Sequence, residues 1–192
     1  MDTQRNAEFL EEIKNRLTPD RLYHALNVAD EAKKLAKHYG ADEQKAFTAG
    51  LLHDILKNTP DSELLQYFER NGIMLTETER ARRKTRHAMA GADFLRRELH
   101  VTDEDILSAV RWHTTGRAGM TLLDKVLFVA DFISADRDYP GVERMREKAY
   151  VSLEDAMLEG LQFTINELVE NAWPVHEDSI RAYNELVINR KG

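Results

Sequence analysis

The chain has 192 residues, 42% hydrophobic and 32% charged, the makeup of one globular domain with a core of its own rather than of a disordered chain. Its 27 Lys and Arg stand against 34 Asp and Glu, a net charge of −7, which argues against non-specific binding to nucleic acid but leaves room for a small anionic ligand held by a few local cations. Cysteine is absent, so disulfides, zinc–thiolate sites, iron–sulfur clusters and cysteine nucleophiles are excluded, and a transition metal would need His and carboxylate ligands.

The first seventeen residues, MDTQRNAEFLEEIKNRL, lack the charged-then-apolar pattern of a leader. No apolar run approaches the roughly 20 residues that span a bilayer. The expected location is therefore the cytoplasm, with no membrane partner. Thr18-Pro19 reads as an N-cap followed by proline at the first helical position, opening a helix that Gly40 stops. A second helix is expected from about Asp42 to Leu56. Thr59-Pro60 opens a third, closed by Gly72. Thr76-x-x-Glu79 is a capping box before a short charged helix. Thr85 to about Leu99 is helical, and the Arg-rich 81–86 stretch reads as a solvated helix face. Thr102-x-x-Asp105 and Thr121-x-x-Asp124 mark two further helix starts, with Gly116 and Gly119 in the loop between them. Asp138-Tyr-Pro-Gly141 is a turn. Ser152-x-x-Asp155 opens a long helix ending before Trp173-Pro174, and a last helix runs from about His176 to Ile188. Strand-like alternation is nearly absent. The reading is an all-α chain of eight or more helices in a single domain, residues 1–192.

Four of the seven histidines fall in otherwise apolar helical stretches: His24 in RLYHALNVA, His53 in AGLLHDILK, His87 in TRHAMAGADFL and His113 in SAVRWHTTG. His38 and His100 read as surface residues. Singly, such a histidine is more often a hydrogen-bonded core residue than a ligand. Asp131 is a stronger signal. It sits in VLFVADFI, a helix apolar on nearly all faces, and a carboxylate buried without a counter-charge costs several kcal/mol. It needs a cation, either an arginine such as Arg111 or Arg137, or a metal ion. Taken together, His24, His53-Asp54 and Asp131 form a His2Asp2 set that suits iron, manganese or another divalent ion, with open positions for water and substrate. One ion is expected, and with His87 and His113 as further ligands a two-metal site is left open. Lys57 follows His53 and Asp54 by one helical turn, and Arg21 precedes His24 by one, so the two would clamp a polyanion beside the ligands.

H…HD…D on an all-helical chain resembles the HD superfamily of metal-dependent phosphohydrolases. His113-Thr-Thr-Gly-Arg-Ala-Gly-Met, the stretch Asp124–Ile133, and Arg137-Asp-Tyr-Pro-Gly-Val-Glu more closely resemble its YqeK family, bacterial hydrolases that cut diadenosine tetraphosphate symmetrically into two ADP. The resemblance runs from about residue 15 to 188. It implies a single-domain HD bundle, a homodimer, and an iron site on His24, His53, Asp54 and Asp131. It also implies nucleotide and phosphate contacts from Arg21, His24, Lys57, His87, His113, Thr114, Asp131 and Arg137, and from the run Pro174, Val175, His176, Glu177, Asp178 and Ser179. Asp54 is then ligand and proton acceptor, Lys57 a phosphate contact, and His87 or His113 the donor to phosphate oxygens or to leaving ADP. Trp173, Tyr183 or Phe132 would stack on adenine. Asn27, Ser134-Ala135-Asp136 and Glu177 depart from the family pattern, none of them at an expected metal position. The alternatives are an HD phosphohydrolase acting on a (p)ppGpp-type alarmone, a deoxynucleoside triphosphate or a nucleoside monophosphate, a non-catalytic nucleotide-binding HD module, and an HD-type di-iron oxygenase.

Overall fold

The computed structural model describes residues 3–190. Among these, eleven helices follow one another without a strand: α1 (Thr3–Arg16), α2 (Pro19–Tyr39), α3 (Glu43–Leu52), α4 (Asp61–Arg70), α5 (Glu77–Ala81), α6 (Arg83–Arg97), α7 (Glu104–Trp112), α8 (Leu122–Ile133), α9 (Val142–Ala149), α10 (Leu153–Glu170) and α11 (Glu177–Asn189). The capping boxes at Thr76/Glu79 and Thr121/Asp124 both form, and Ser152 caps α10 by accepting from the Asp155 amide.

Several expectations change. Thr18 stands at the N-cap of α2, but its side chain makes no cap bond, and its N–H donates to Asn58 Oδ1 at 3.0 Å. At α7 the cap is Asp103 rather than Thr102, because its carboxylate accepts from the Asp105 and Ile106 amides. Two helices, α1 and α9, had no start signal in the sequence. Each is held by a short apolar stripe: Phe9, Ile13 and, just past the helix end, Leu17 for α1, and Val142, Met145 and Ala149 for α9. Arg86, read as part of a solvated face, is buried. Its guanidinium bonds Asp61 at 2.5 and 2.6 Å and the Glu79 carbonyl at 3.1 Å.

The α3 helix ends at Leu52, four residues short of expectation, and the chain continues through tight turns in which Ile55, Lys57 and Thr59 donate three residues back. The cause is His53. Its Nδ1 lies 2.7 Å from the Gly50 carbonyl, the acceptor that the Asp54 amide would use if the helix went on. His113 does the same to the Val110 carbonyl at 2.7 Å, and α7 ends there.

Helix α8 is the central rod, packed against α2, α3, α7, α9 and α10. Val126, Leu127, Phe128, Val129, Ala130 and Ile133 are at most 1% exposed, as an all-round apolar helix requires. The α2 and α3 helices pack together and bury small residues on both sides, Ala25, Ala29 and Ala32 on α2 and Ala46, Ala49 and Gly50 on α3. A Cβ on Gly50 would fall 2.6 Å from Ala29 Cα, so glycine sets how closely these two helices approach.

Candidate functional site

Close packing of α2 on α3 brings the His24 and His53 rings edge to face, with centroids 5.3 Å apart. The chain reversal after α7 adds His113, 4.9 Å from His53, and α6 adds His87, 5.2 Å from His113. From α8, Asp131 Oδ1 reaches His24 Nε2 at 3.0 Å. Asp54 lies among the other rings, its Oδ1 2.9 Å from His87 Nε2 and 3.5 Å from His113 Nε2, its Oδ2 3.5 Å from His53 Nε2. None of these approaches to Asp54 is aligned as a hydrogen bond; they are contacts of charge with ring. Two ligand triads result, His24/His53/Asp131 and His53/Asp54/His113, each with its donor atoms within 4.8 Å of one another.

The rings are oriented from behind. His53 and His113 donate Nδ1–H to the Gly50 and Val110 carbonyls, and His24 Nδ1 bonds Asp136 Oδ2 at 2.7 Å. The two carbonyl bonds fix the tautomers of His53 and His113 and turn a bare Nε2 toward the common centre, whereas His24, with a carboxylate at each ring nitrogen, has its pKa raised. Burial pulls the His53 and His87 pKa values down to about 4, so both rings are neutral near pH 7. Burial alone would raise the Asp54 carboxyl, but the His53, His113 and His87 rings and the Lys57 ammonium hold it well below the usual carboxylate range. Burial likewise opposes ionisation of Asp131, and His24 and Arg137 overcome it.

A metal fits this arrangement. His53 Nε2 and Asp54 Oδ1 are buried and have no hydrogen-bond partner, a costly state for two polar atoms that face one another's ligand set. Both cations weighed for Asp131 bear on it. Arg137 pairs directly with its Oδ1 and donates Nε–H to its backbone carbonyl at 2.6 Å, yet His24 and His53 still converge on the same place. Arg111 pairs elsewhere, with Glu79 at 3.1 Å. Asp131 is not entombed: its side chain is 19% exposed and opens onto a cavity.

That cavity, about 280 Å3, is lined by Lys57, His113, Thr114, Asp131, Arg137, His176 and Ser179 among the expected residues. Lys57 Nζ lies 3.4 Å from Asp54 Oδ1 and 3.2 Å from His87 Nε2, and Arg21 Nη1 lies 3.5 Å from Asp54 Oδ2, so both cations reach the Asp54 carboxylate, though Arg21 does not line the cavity. Turn geometry, not a helical face, brings Lys57 there. The Thr114 hydroxyl is buried without a partner. Within 174–179 only His176 and Ser179 reach the cavity wall. Glu177 is exposed and accepts a bond from the Thr78 hydroxyl at 2.7 Å, because capping of α11 by His176 turns it outward. Asp178 serves that same cap through its amide, and Pro174 and Val175 line no part of this cavity. Phe132 lies on the wall. Trp173, 42% exposed, stacks beneath Arg82 and Lys84, which also line it. Tyr183 packs against the core.

Sequence reasoning missed Asp136, which stands on His24 rather than clear of the metal positions, and Ser134, whose hydroxyl holds Asp136 Oδ1 at 2.7 Å. It also missed Arg82, Lys84, Thr85 and Phe163 on the cavity wall. The basic run at 81–86 was the available signal for the first two.

Comparison with known proteins agrees with this geometry. The HD domain family model matches residues 21–136. A Halalkalibacterium halodurans protein named bis(5'-nucleosyl)-tetraphosphatase, symmetrical, is 37% identical over 186 residues, covering 95% of this chain and 97% of the relative. A Bacillus subtilis protein of the same name is 39% identical over 175 residues, covering 91% and 94%. The crystal structure of a predicted HD superfamily hydrolase involved in NAD metabolism from Clostridium acetobutylicum superposes with a TM-score of 0.93 at 32% identity, covering 96% of this chain and 97% of that one.

Proposed function

This chain belongs to the HD-domain family, among the symmetrical bis(5'-nucleosyl)-tetraphosphatases, and from that premise we propose that it adds water across the central anhydride of diadenosine tetraphosphate to release two ADP. It is a phosphohydrolase that uses a divalent metal. The reading rests on one observation above the rest: imidazoles and carboxylates from α2, α6, α8 and the ends of α3 and α7 meet at one point beside a cation-lined cavity.

His24, His53, Asp54 and Asp131 would hold the ion, with His87 and His113 available to a second. When bound, the metal supplies Lewis-acid polarisation of a phosphoryl oxygen and a water of lowered pKa. The family resemblance points to iron, and imidazole and carboxylate ligands without thiolate also suit manganese or another divalent ion. Asp54, held ionised, accepts the proton of the attacking water. Lys57, Arg21 and Arg137 offset the charge of the phosphates, with Thr114 offering a hydroxyl that has no other partner and Ser179, whose hydroxyl donates to the Thr115 carbonyl at 2.8 Å, standing on the wall. The proton for leaving ADP comes through His87, whose Nε2 lies 3.2 Å from both the Lys57 ammonium and His113 Nε2. A homodimer and a cytoplasmic location belong to the same proposal. The first rests on the family resemblance and is checked by light scattering. Among the described residues no helix is long and apolar enough to cross a membrane.

The test is product analysis. Metal-loaded protein should convert diadenosine tetraphosphate to ADP alone, while ATP plus AMP, or no turnover, would refute the assignment. His53→Ala should lose its metal by elemental analysis and its turnover together.

A further inference from the structure

A dinucleoside tetraphosphate has two nucleoside ends, and the cavity beside the ligand cluster is too small for both. At about 280 Å3 it falls just below the ~300–1,000 Å3 of ordinary small-molecule pockets, and this substrate is larger than an ordinary ligand. The half that leaves as the second ADP must extend beyond it.

We infer that the second nucleoside docks in the adjoining cavity between the C-terminal end of α8, the Asp138–Gly141 turn, α9 and α10, stacking on Phe163 and Tyr139; this rests on the phosphohydrolase reading above. The two cavities share a boundary: Phe132 and Phe163 line both. Phe132 directly follows Asp131, so the passage begins at the ligand cluster itself. The second cavity is larger, about 410 Å3.

Its chemistry suits a base rather than another phosphate. Phe163 is 58% exposed, an unusual position for a large ring, and its face lies nearly parallel to Tyr139, centroids 6.2 Å apart and planes 26° apart. An aromatic pair at the mouth of a cavity, Phe163 exposed and Tyr139 half-buried, is a stacking platform for a purine. The Tyr139 hydroxyl donates to the Phe132 carbonyl at 3.0 Å, which ties the platform to the end of α8. Gly160 forms the floor. A Cβ there would come within 3.2 Å of the Phe132 ring and within 3.3 Å of Phe128, so glycine lets Phe132 lie back and leaves the cavity open. The cations on this wall are already matched: Arg144 pairs with Glu159 at 2.6 Å, and Lys148 pairs with the same carboxylate. Gln162, also on the wall, offers an amide to read a base edge.

The experiment compares diadenosine tetraphosphate with adenosine 5'-tetraphosphate, which lacks the second nucleoside and would be cut by water to ADP and diphosphate. The wild-type enzyme should favour the dinucleoside in kcat/KM. Phe163→Ala and Tyr139→Ala should each reduce that preference by about tenfold, chiefly through KM for the dinucleoside, and Phe163→Trp should restore it. Circular dichroism melts establish that each variant is folded before its preference is scored. A preference unchanged in folded Phe163→Ala, or absent in the wild type, overturns the subsite while leaving the hydrolase intact. A wild-type enzyme that makes no ADP from diadenosine tetraphosphate overturns the parent reading instead.

Discussion

Asp136 Oδ2 lies 2.7 Å from His24 Nδ1, and Ser134 Oγ holds the other Asp136 oxygen at 2.7 Å. Of the three rings in the two ligand triads, His24 alone is backed by a carboxylate; His53 and His113 lean on backbone carbonyls. A carboxylate behind an imidazole fixes its rotation and raises its basicity, and such partners carry about 10–100-fold in metal affinity. Asp136→Ala should therefore weaken metal retention by that factor in a chelator competition, while Asp136→Asn, which keeps an acceptor oxygen, should retain more of it. Equal affinity in wild type and Asp136→Ala would show that His24 needs no such support.

Gly50 offers a test through packing. Its missing Cβ is what allows Ala29 to approach, and the obstructing atoms are backbone: Ala29 Cα at 2.6 Å, Ala29 N at 2.9 Å and the Val28 carbonyl at 3.0 Å. Backbone cannot swing aside as a side chain can. Gly50→Ala should cost about 1–3 kcal/mol, lowering the thermal midpoint by roughly 2–12 °C. Because α2 carries His24 and α3 ends at His53, the same change should lower metal content at a temperature where the chain is still folded. A variant with wild-type melting and full metal occupancy would show that the α2–α3 approach has slack.

How far this site could be read from sequence depends on where each residue's partner lies. His24, His53, Asp54 and Asp131 are legible because polar groups within apolar helical runs are anomalies that demand an explanation within the chain. Asp136 is not an anomaly. It sits in a polar turn, and only the fold reveals that its partner is 112 residues upstream. Gly50 looks like a helix imperfection until Ala29 is set against it. Helix periodicity found the long helices but overran α3, because no local pattern says that His53 will take the Gly50 carbonyl. The α1 and α9 helices lack strong start signals and are defined by what they cover. Position in the 174–179 run places Glu177 at the site, but a capping interaction one residue earlier turns it away.

Lys57 separates binding of the metal from catalysis. Its ammonium lies 3.2 Å from His87 Nε2 and 3.4 Å from Asp54 Oδ1, but it ligates nothing. Lys57→Met should keep metal content near wild type while kcat falls about 10²–10³-fold, the range for losing one preorganised contact to developing charge. Loss of metal in this variant would mean that the ammonium is needed to assemble the Asp54 cluster rather than to act on substrate.

The pH dependence of the chelated protein follows from burial of uncharged imidazoles. His53 and His87 protonate near 6.5 when exposed and only at about 4 in the fold. Between those values the unfolded chain binds more protons than the folded one, so stability falls as pH falls across that interval. Asp54 and Asp131 act in the same direction at lower pH, since their folded values lie well below the usual carboxylate range and protonation removes their ion pairs. His24 acts the other way: its pKa is raised, Asp131 and Asp136 outweighing burial, so its contribution is complete below about 6.5 and is lost as pH rises. Two strongly depressed rings outweigh one raised ring. The thermal midpoint of chelator-treated protein should therefore drop between pH 7 and pH 4.5, and His87→Gln, which removes one of the two depressed groups, should flatten that drop. A midpoint that holds steady or climbs over the same range would mean that these buried rings already carry protons in the fold.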